Sequence, residues 1–168
     1  MAIKEVLMLG NPKLRDESSH VTDFTKELSE IIEDLKDTLF YLQKEKKIGR
    51  ALAAPQIGHM KKVVYYNCED KEIIMVNPDI IWTSEETFEV WDSCYSFDLA
   101  FFVNITRHKS IKVNYQNIEG KEITQQFNDD LAELFQHEID HLSGKLATDY
   151  LIGGKKIIMR NEWERRYR

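Results

Sequence analysis

The sequence predicts an α+β domain in which mixed or antiparallel β-sheets pack around a central helix that carries an HExxH motif. Three observations lead there. One amphipathic helical stretch comes first, a series of short strand patterns follows, and a second amphipathic helix closes the series near the C-terminal end. The regular β-α alternation that a doubly wound parallel sheet needs is absent.

From Thr22 to about Lys46 the apolar residues Phe24, Leu28, Ile31, Ile32, Leu35, Leu39 and Leu42 recur at helical spacing, so this stretch is expected to cover a sheet with one face. Lys62-Val63-Val64-Tyr65-Tyr66 and Ile73-Ile74-Met75-Val76 are rich in β-branched and aromatic residues and read as strands, the second closed by Asn77-Pro78. Thr87-Phe88-Glu89-Val90-Trp91 and Ile111-Lys112-Val113-Asn114-Tyr115 alternate faces. Ile118-Glu119-Gly120 then turns the chain into Lys121-Glu122-Ile123-Thr124, a hairpin. Asn128-Asp129-Asp130 supplies a cap and an acidic first turn, Leu131, Leu134, Phe135, Ile139 and Leu142 an apolar stripe, and Gly144 a stop. A short final helix is expected around Ile158 to Arg166.

A chain of 168 residues with 42% hydrophobic and 31% charged residues has the balance of one domain, spanning 1–168, with a substantial core. The N-terminal residues lack a secretory design and no apolar run reaches membrane length, so a cytoplasmic protein without a membrane partner is expected. The formal charge of −6 argues against a nucleic-acid footprint over the whole domain. Only the tail is locally basic, through Lys155, Lys156, Arg160, Arg165, Arg166 and Arg168. Of the two cysteines, Cys68 and Cys94, each reads as buried filler or a ligand rather than half of a disulfide.

The most informative stretch is Gln136-His137-Glu138-Ile139-Asp140-His141. Residues i and i+4 share a helix face, so His137 and His141 are able to bind one divalent ion while Glu138 moves protons beside it. Two incidental histidines on a solvated helix would look the same, and a third ligand elsewhere in the chain decides between these readings.

Gly49-Arg50-Ala51-Leu52-Ala53-Ala54-Pro55-Gln56-Ile57-Gly58 and Asp92-Ser93-Cys94-Tyr95-Ser96-Phe97, together with His137-Glu138-Ile139-Asp140-His141, resemble the three signatures of peptide deformylases, GxGxAAPQ, EGCxS and HExDH, in the same order. Asn11-Pro12-Lys13-Leu14-Arg15, Val76-Asn77-Pro78 and His141-Leu142-Ser143-Gly144 resemble the family's flanking sequence. The resemblance implies a peptide deformylase-like fold and removal of the formyl group from nascent formyl-methionyl peptides. It makes Cys94 the third metal ligand with His137 and His141, and Glu138 the general base. It assigns the oxyanion donors to the side-chain amide of Gln56 and the backbone N–H of Tyr95. The implied cofactor is one divalent metal, characteristically Fe(II), with Zn(II), Ni(II) or Co(II) as substitutes. Asp140 is expected to orient a histidine or cap local structure. A nascent-chain enzyme would also gain from weak ribosome contact, for which the basic tail is the candidate. Other readings are a deformylase for small N-formyl amino acids or another short formamide, and a metal- or peptide-binding module with little turnover.

Departures from the family pattern cluster around substrate binding. Ala51 stands at a usual glycine, where the backbone is expected to differ if positive φ is needed. Asp92-Ser93 replaces Glu-Gly, with Arg107 the expected partner of Asp92. Tyr95 replaces a common leucine, and Glu133 adds a charge where the family lines an apolar pocket. Phe97 to Phe102 reads as an apolar loop, with Phe101 and Phe102 either in the core or forming a lid.

Overall fold

Leu28, Ile31, Leu35 and Leu39 share one buried face of helix α1 (Lys26–Lys46), as their spacing requires. The structure, a computed structural model, describes residues 2–168. The helix starts at Lys26 rather than Thr22 because the chain before it is tied elsewhere. The Asn77 side chain accepts the Val21 N–H and donates to the Val21 carbonyl, both at 2.8 Å. Lys47, left-handed at φ 61°, ends the helix by donating its N–H to the Gln43 carbonyl.

The strands, in chain order, are β1 (Ala51–Ala53), β2 (Val63–Cys68), β3 (Lys71–Thr83), β4 (Thr87–Asp92), β5 (Phe101–His108), β6 (Ser110–Gln116), β7 (Glu122–Asn128) and β8 (Ile157–Met159). They form a sheet in the order β1-β2-β3-β6-β7 and a second in the order β4-β5-β8, with every pair antiparallel. Strand β3 does not stop at Asn77-Pro78 as expected. Its pairing with β6 shifts register between Val76 and Asp79, so Pro78, which has no N–H to donate, sits at the irregularity and the strand runs on to Thr83. The expected hairpin is present: the Gly120 N–H closes on the Asn117 carbonyl and joins β6 to β7.

The apolar stretch after Cys94 is not a loop throughout. Tyr95–Phe97 forms a 3-10 turn, Asp98 and Leu99 take positive φ, and Phe101 opens β5. Phe101 stacks on Phe97 in a core cluster with Cys94, Val103 and Ile105, and β8 pairs with Phe101, Phe102 and Val103. The chain then enters α3 (Arg160–Tyr167), so the expected final helix is preceded by a strand.

Helix α2 (Asp129–Leu142) touches strands of both sheets. Ala132, Phe135 and Leu142 join a core cluster with Val64, Met75, Ile111 and Val113 of the larger sheet. On its other side Gln136 treats β5 as a neighbouring strand would: its Oε1 accepts the His108 N–H at 3.0 Å and its Nε2 donates to the His108 carbonyl at 2.8 Å. Past the helix, Gly144 takes φ +69° at a crowded point, where an added Cβ would lie 2.3 Å from the Arg15 carbonyl oxygen.

Candidate metal centre

Because His137 and His141 are one turn apart on α2, their rings point into the same space, and the turn after β4 brings Cys94 there. The His141 and His137 Nε2 atoms are 3.2 Å apart, and Cys94 Sγ is 3.4 Å from His141 Nε2. All three side chains are buried, and their ligand atoms lie within 4.8 Å of one another.

This donor set fits a divalent cation. A tetrahedral ion with bonds of about 2.0–2.3 Å separates its ligands by roughly 3.4–3.6 Å, close to the spacings here. His137 Nδ1 lies 2.8 Å from Asp92 Oδ1 and 3.0 Å from Oδ2, so the proton belongs on Nδ1 and the Nε2 lone pair faces Cys94 and His141. Two facing ring nitrogens and a thiol sulfur, all buried, are donors that a cation draws together.

Asp92 is the centre of a buried charge chain. Arg107 of β5 reaches its Oδ2 with Nη2 at 3.2 Å and reaches Asp140 Oδ2 with Nη1 at 2.5 Å. Tyr150 donates to Asp140 Oδ1 at 2.9 Å, and its ring packs against the guanidinium 4.7 Å away. The expected Asp92–Arg107 pair is therefore present. Asp140, in contrast, bonds Arg107 and Tyr150 and no histidine; the carboxylate that holds His137 comes from β4. Burial alone would push the Asp92 carboxyl up, but His137 and Arg107 outweigh it and hold it below the usual range.

The remaining predicted residues surround the cluster. Glu138 is buried, and burial pushes its carboxyl up to about 7, reinforced by Asp92 and opposed by His137. Its Oε2 has no hydrogen-bond partner among the described residues. Gln56 has its amide orientation set by the Ala53 N–H, which donates to Oε1 at 2.9 Å. That leaves Nε2 aimed at Cys94 Sγ, 3.3 Å away, and Ser96 Oγ, 3.1 Å away. The Tyr95 backbone follows Cys94 directly, while its phenol turns away to donate to the Ile48 carbonyl at 2.5 Å.

A cavity of about 260 Å³ opens onto Cys94, Gln56, His137 and Glu138. Ala51 lines it from β1 without positive φ, so alanine is accommodated there as ordinary strand. Glu133 faces it too, its carboxyl pushed up to about 7, first by burial and then by Asp92. Of the two, Phe101 packs in the core and Phe102 forms part of the cavity wall, both from β5. Two contributors escaped the sequence reading. Ser96 steadies Gln56, and Arg160 reaches the cavity from α3; only the general Cys-x-Ser pattern hinted at the first, and nothing local hinted at the second.

Comparison with known proteins gives a consistent picture. The sequence model of the family described as "Polypeptide deformylase" matches residues 3–156. The chain is 34% identical over 155 residues to a peptide deformylase of Thermotoga neapolitana, covering 92% of this chain and 91% of that one. Among solved structures it is similar to the peptide deformylase of Thermotoga maritima, with TM-score 0.82 at 32% identity, over 91% of this chain and 100% of that one. A peptide deformylase of Legionella pneumophila gives TM-score 0.82 at 31% identity, over 92% of this chain and 89% of that one.

Proposed function

The chain belongs to the polypeptide deformylase family of metal-dependent hydrolases, and from that premise we propose that it removes the formyl group from N-formylmethionyl peptides, releasing formate. The observation that carries this reading is the convergence of Cys94, His137 and His141, with Cys94 and His137 lining one cavity together with Glu138 and Gln56. Cys94, His137 and His141 are the ligands in this reading. When bound, a divalent cation supplies Lewis acidity, which makes water a nucleophile near neutral pH and polarises a carbonyl. The thiolate suits Fe(II) as well as Zn(II), Ni(II) or Co(II), and Fe(II) is our choice.

The protein's own groups then have defined tasks. Glu138 takes the proton from the attacking water and passes it to the departing amine, a transfer for which its buried carboxyl stands next to His137 on the same helix. The Gln56 Nε2 and the Tyr95 N–H donate to the formyl oxygen as negative charge builds there, and the Ala53 N–H keeps the Gln56 amide from flipping. Asp92 holds the His137 tautomer, and Arg107 holds Asp92. Gln56, Cys94, His137 and Glu138 are buried, which strengthens each interaction relative to its strength in water.

We read residues 1–168 as one catalytic domain working on nascent peptides in the cytoplasm. Ribosome contact through the tail is a minor part of this reading, since Lys156 pairs with Glu89, Arg165 with Glu162 and Arg168 with Glu164, partly neutralising its charge. The relatives named above are peptide deformylases, and the small-formamide and binding-module readings draw no support from them.

The test is formate release from formyl-Met-Ala by protein prepared anaerobically with Fe(II), beside the same protein loaded with Zn(II). Turnover with Fe(II) supports the reading. Stoichiometric metal without formate from any formyl-peptide overturns it, and faster turnover with Zn(II) overturns the choice of ion.

A further inference from the structure

Residues matched by the family's sequence model end at 156, yet the chain beyond them supplies a wall of the catalytic cavity. Strand β8 docks on β5, the Arg160 N–H donates to the Ala100 carbonyl at 2.9 Å, and Trp163 stacks on Phe102 with ring centroids 4.6 Å apart. This anchoring carries the Arg160 side chain into the cavity, where its guanidinium lies over the Phe102 ring at 4.4 Å.

The guanidinium is positioned but not used up. Nε donates to the Leu99 carbonyl and Nη2 to Ser93 Oγ at 3.3 Å. The carboxylate that approaches it, from Glu164, is 3.9 Å from Nη1. A guanidinium has five N–H donors in a planar fork, so an edge remains for a planar anion. Its side chain is only 23% exposed, and burial outweighs Glu164 in holding its pKa below the ordinary value. A partly dehydrated cation in a cavity wall gains most from a negatively charged occupant.

The formyl carbon bears only hydrogen besides its oxygen and nitrogen, so any charged group of the substrate lies on the amine side of the scissile bond. We propose that Arg160 is a specificity-determining residue whose guanidinium receives a carboxylate on the amine side of the formyl-peptide. That carboxylate is either the C-terminus of a very short peptide or an acidic side chain following the formylated residue. The proposal rests on the deformylase reading.

Three formyl-peptides test it with the metal-loaded protein: formyl-Met-Ala, formyl-Met-Ala-amide and formyl-Met-Glu-amide. One or both of the acidic peptides should exceed the neutral amide by about tenfold or more in kcat/KM, mainly through KM, as expected for a charge-assisted bidentate contact. Preference for formyl-Met-Ala identifies the terminal carboxylate, and preference for formyl-Met-Glu-amide the side chain. In Arg160→Gln the acid-to-neutral ratio should fall to near one, and Arg160→Lys should be intermediate. Dissociation constants of Met-Ala and Met-Ala-amide, read from tryptophan fluorescence, should show the same ratio. A native ratio near one overturns the proposal without any variant, and so does a native-like ratio in folded Arg160→Gln. If formate appears from all three peptides at similar rates, Arg160 loses its role while the deformylase function stands. No formate from any of them removes both.

Discussion

The phenol of Tyr95 fills the space that a side chain on residue 49 would need: a Cβ added to Gly49 would lie 1.9 Å from Tyr95 Oη. Gly49 also has φ +98°, where alanine is strained. Gly49→Ala should therefore destabilise the fold by about 1–3 kcal/mol in urea unfolding and lower activity, because displacing Tyr95 disturbs the backbone beside Cys94. Adding Tyr95→Leu should recover part of the loss by removing the clash. No recovery in the double variant would mean that the backbone conformation alone demands glycine.

Asp92 and Asp140 both grip Arg107, but only Asp92 also holds His137. Asp92→Asn should weaken metal binding by about 10–100-fold, since the amide no longer fixes the His137 tautomer as a carboxylate does. It should also destabilise the protein, by about 1.5–3 kcal/mol, because Arg107 keeps Asp140 but loses one of its two carboxylates. Asp140→Asn should reduce stability while leaving metal affinity near the native value. Competition against a chromophoric chelator and urea unfolding separate the two effects; equal losses of affinity in both variants would sink the distinction.

How far these relationships could be read in advance depends on their range along the chain. Helix α2, its stop at Gly144 and the β6–β7 hairpin follow from local periodicity and turn residues, so they were legible. The convergence of Cys94 with His137 and His141 was legible only through ordered motifs, because nothing in the spacing alone brings them together. The hold of Asp92 on His137 depends on how β4 lies beside α2, which pattern reading does not supply; Asp140, beside His141 in sequence, looked the nearer partner. Strand β5 was hidden because left-handed residues at Asp98 and Leu99 precede an apolar run that reads equally as loop or core. Arg160 enters the cavity only because β8 pairs with β5, a contact between segments far apart in sequence.

Away from the metal centre, Asp34 of α1 ties the N-terminal segment to the chain after β1. His59 Nε2 lies 2.9 Å and Lys4 Nζ 3.3 Å from its Oδ2. Burial would raise this carboxyl, but the contacts with His59 and Lys4 prevail and hold it below its ordinary value. A carboxyl depressed in the folded state stabilises above its unfolded pKa, about 3.9, and that contribution fades as pH falls through the folded value. The native protein should thus be more stable than Asp34→Asn at pH 6 to 7, with the gap closing below about pH 4. Urea midpoints at several pH values check this. A gap that widens on acidification would mean that the neutral carboxyl is the favoured form.

Glu138 allows the chemistry to be separated from metal binding. Its side chain is buried beside His137, and no ligand distance in the Cys94–His137–His141 cluster depends on it. Glu138→Gln keeps the volume and one acceptor oxygen but cannot carry the proton. Oε2 lacks a partner among the described residues, so placing an amide there should be structurally mild. The variant should bind metal stoichiometrically, melt within a few degrees of the native protein, and release formate about 10²–10⁴-fold more slowly. Metal content measured on the samples used for the assay makes the comparison decisive. If formate release stays within tenfold of native with full metal occupancy, another group moves the proton and the task assigned to Glu138 is wrong. If metal is lost along with activity, Glu138 holds the ion in place, and the division between three ligands and a separate base fails.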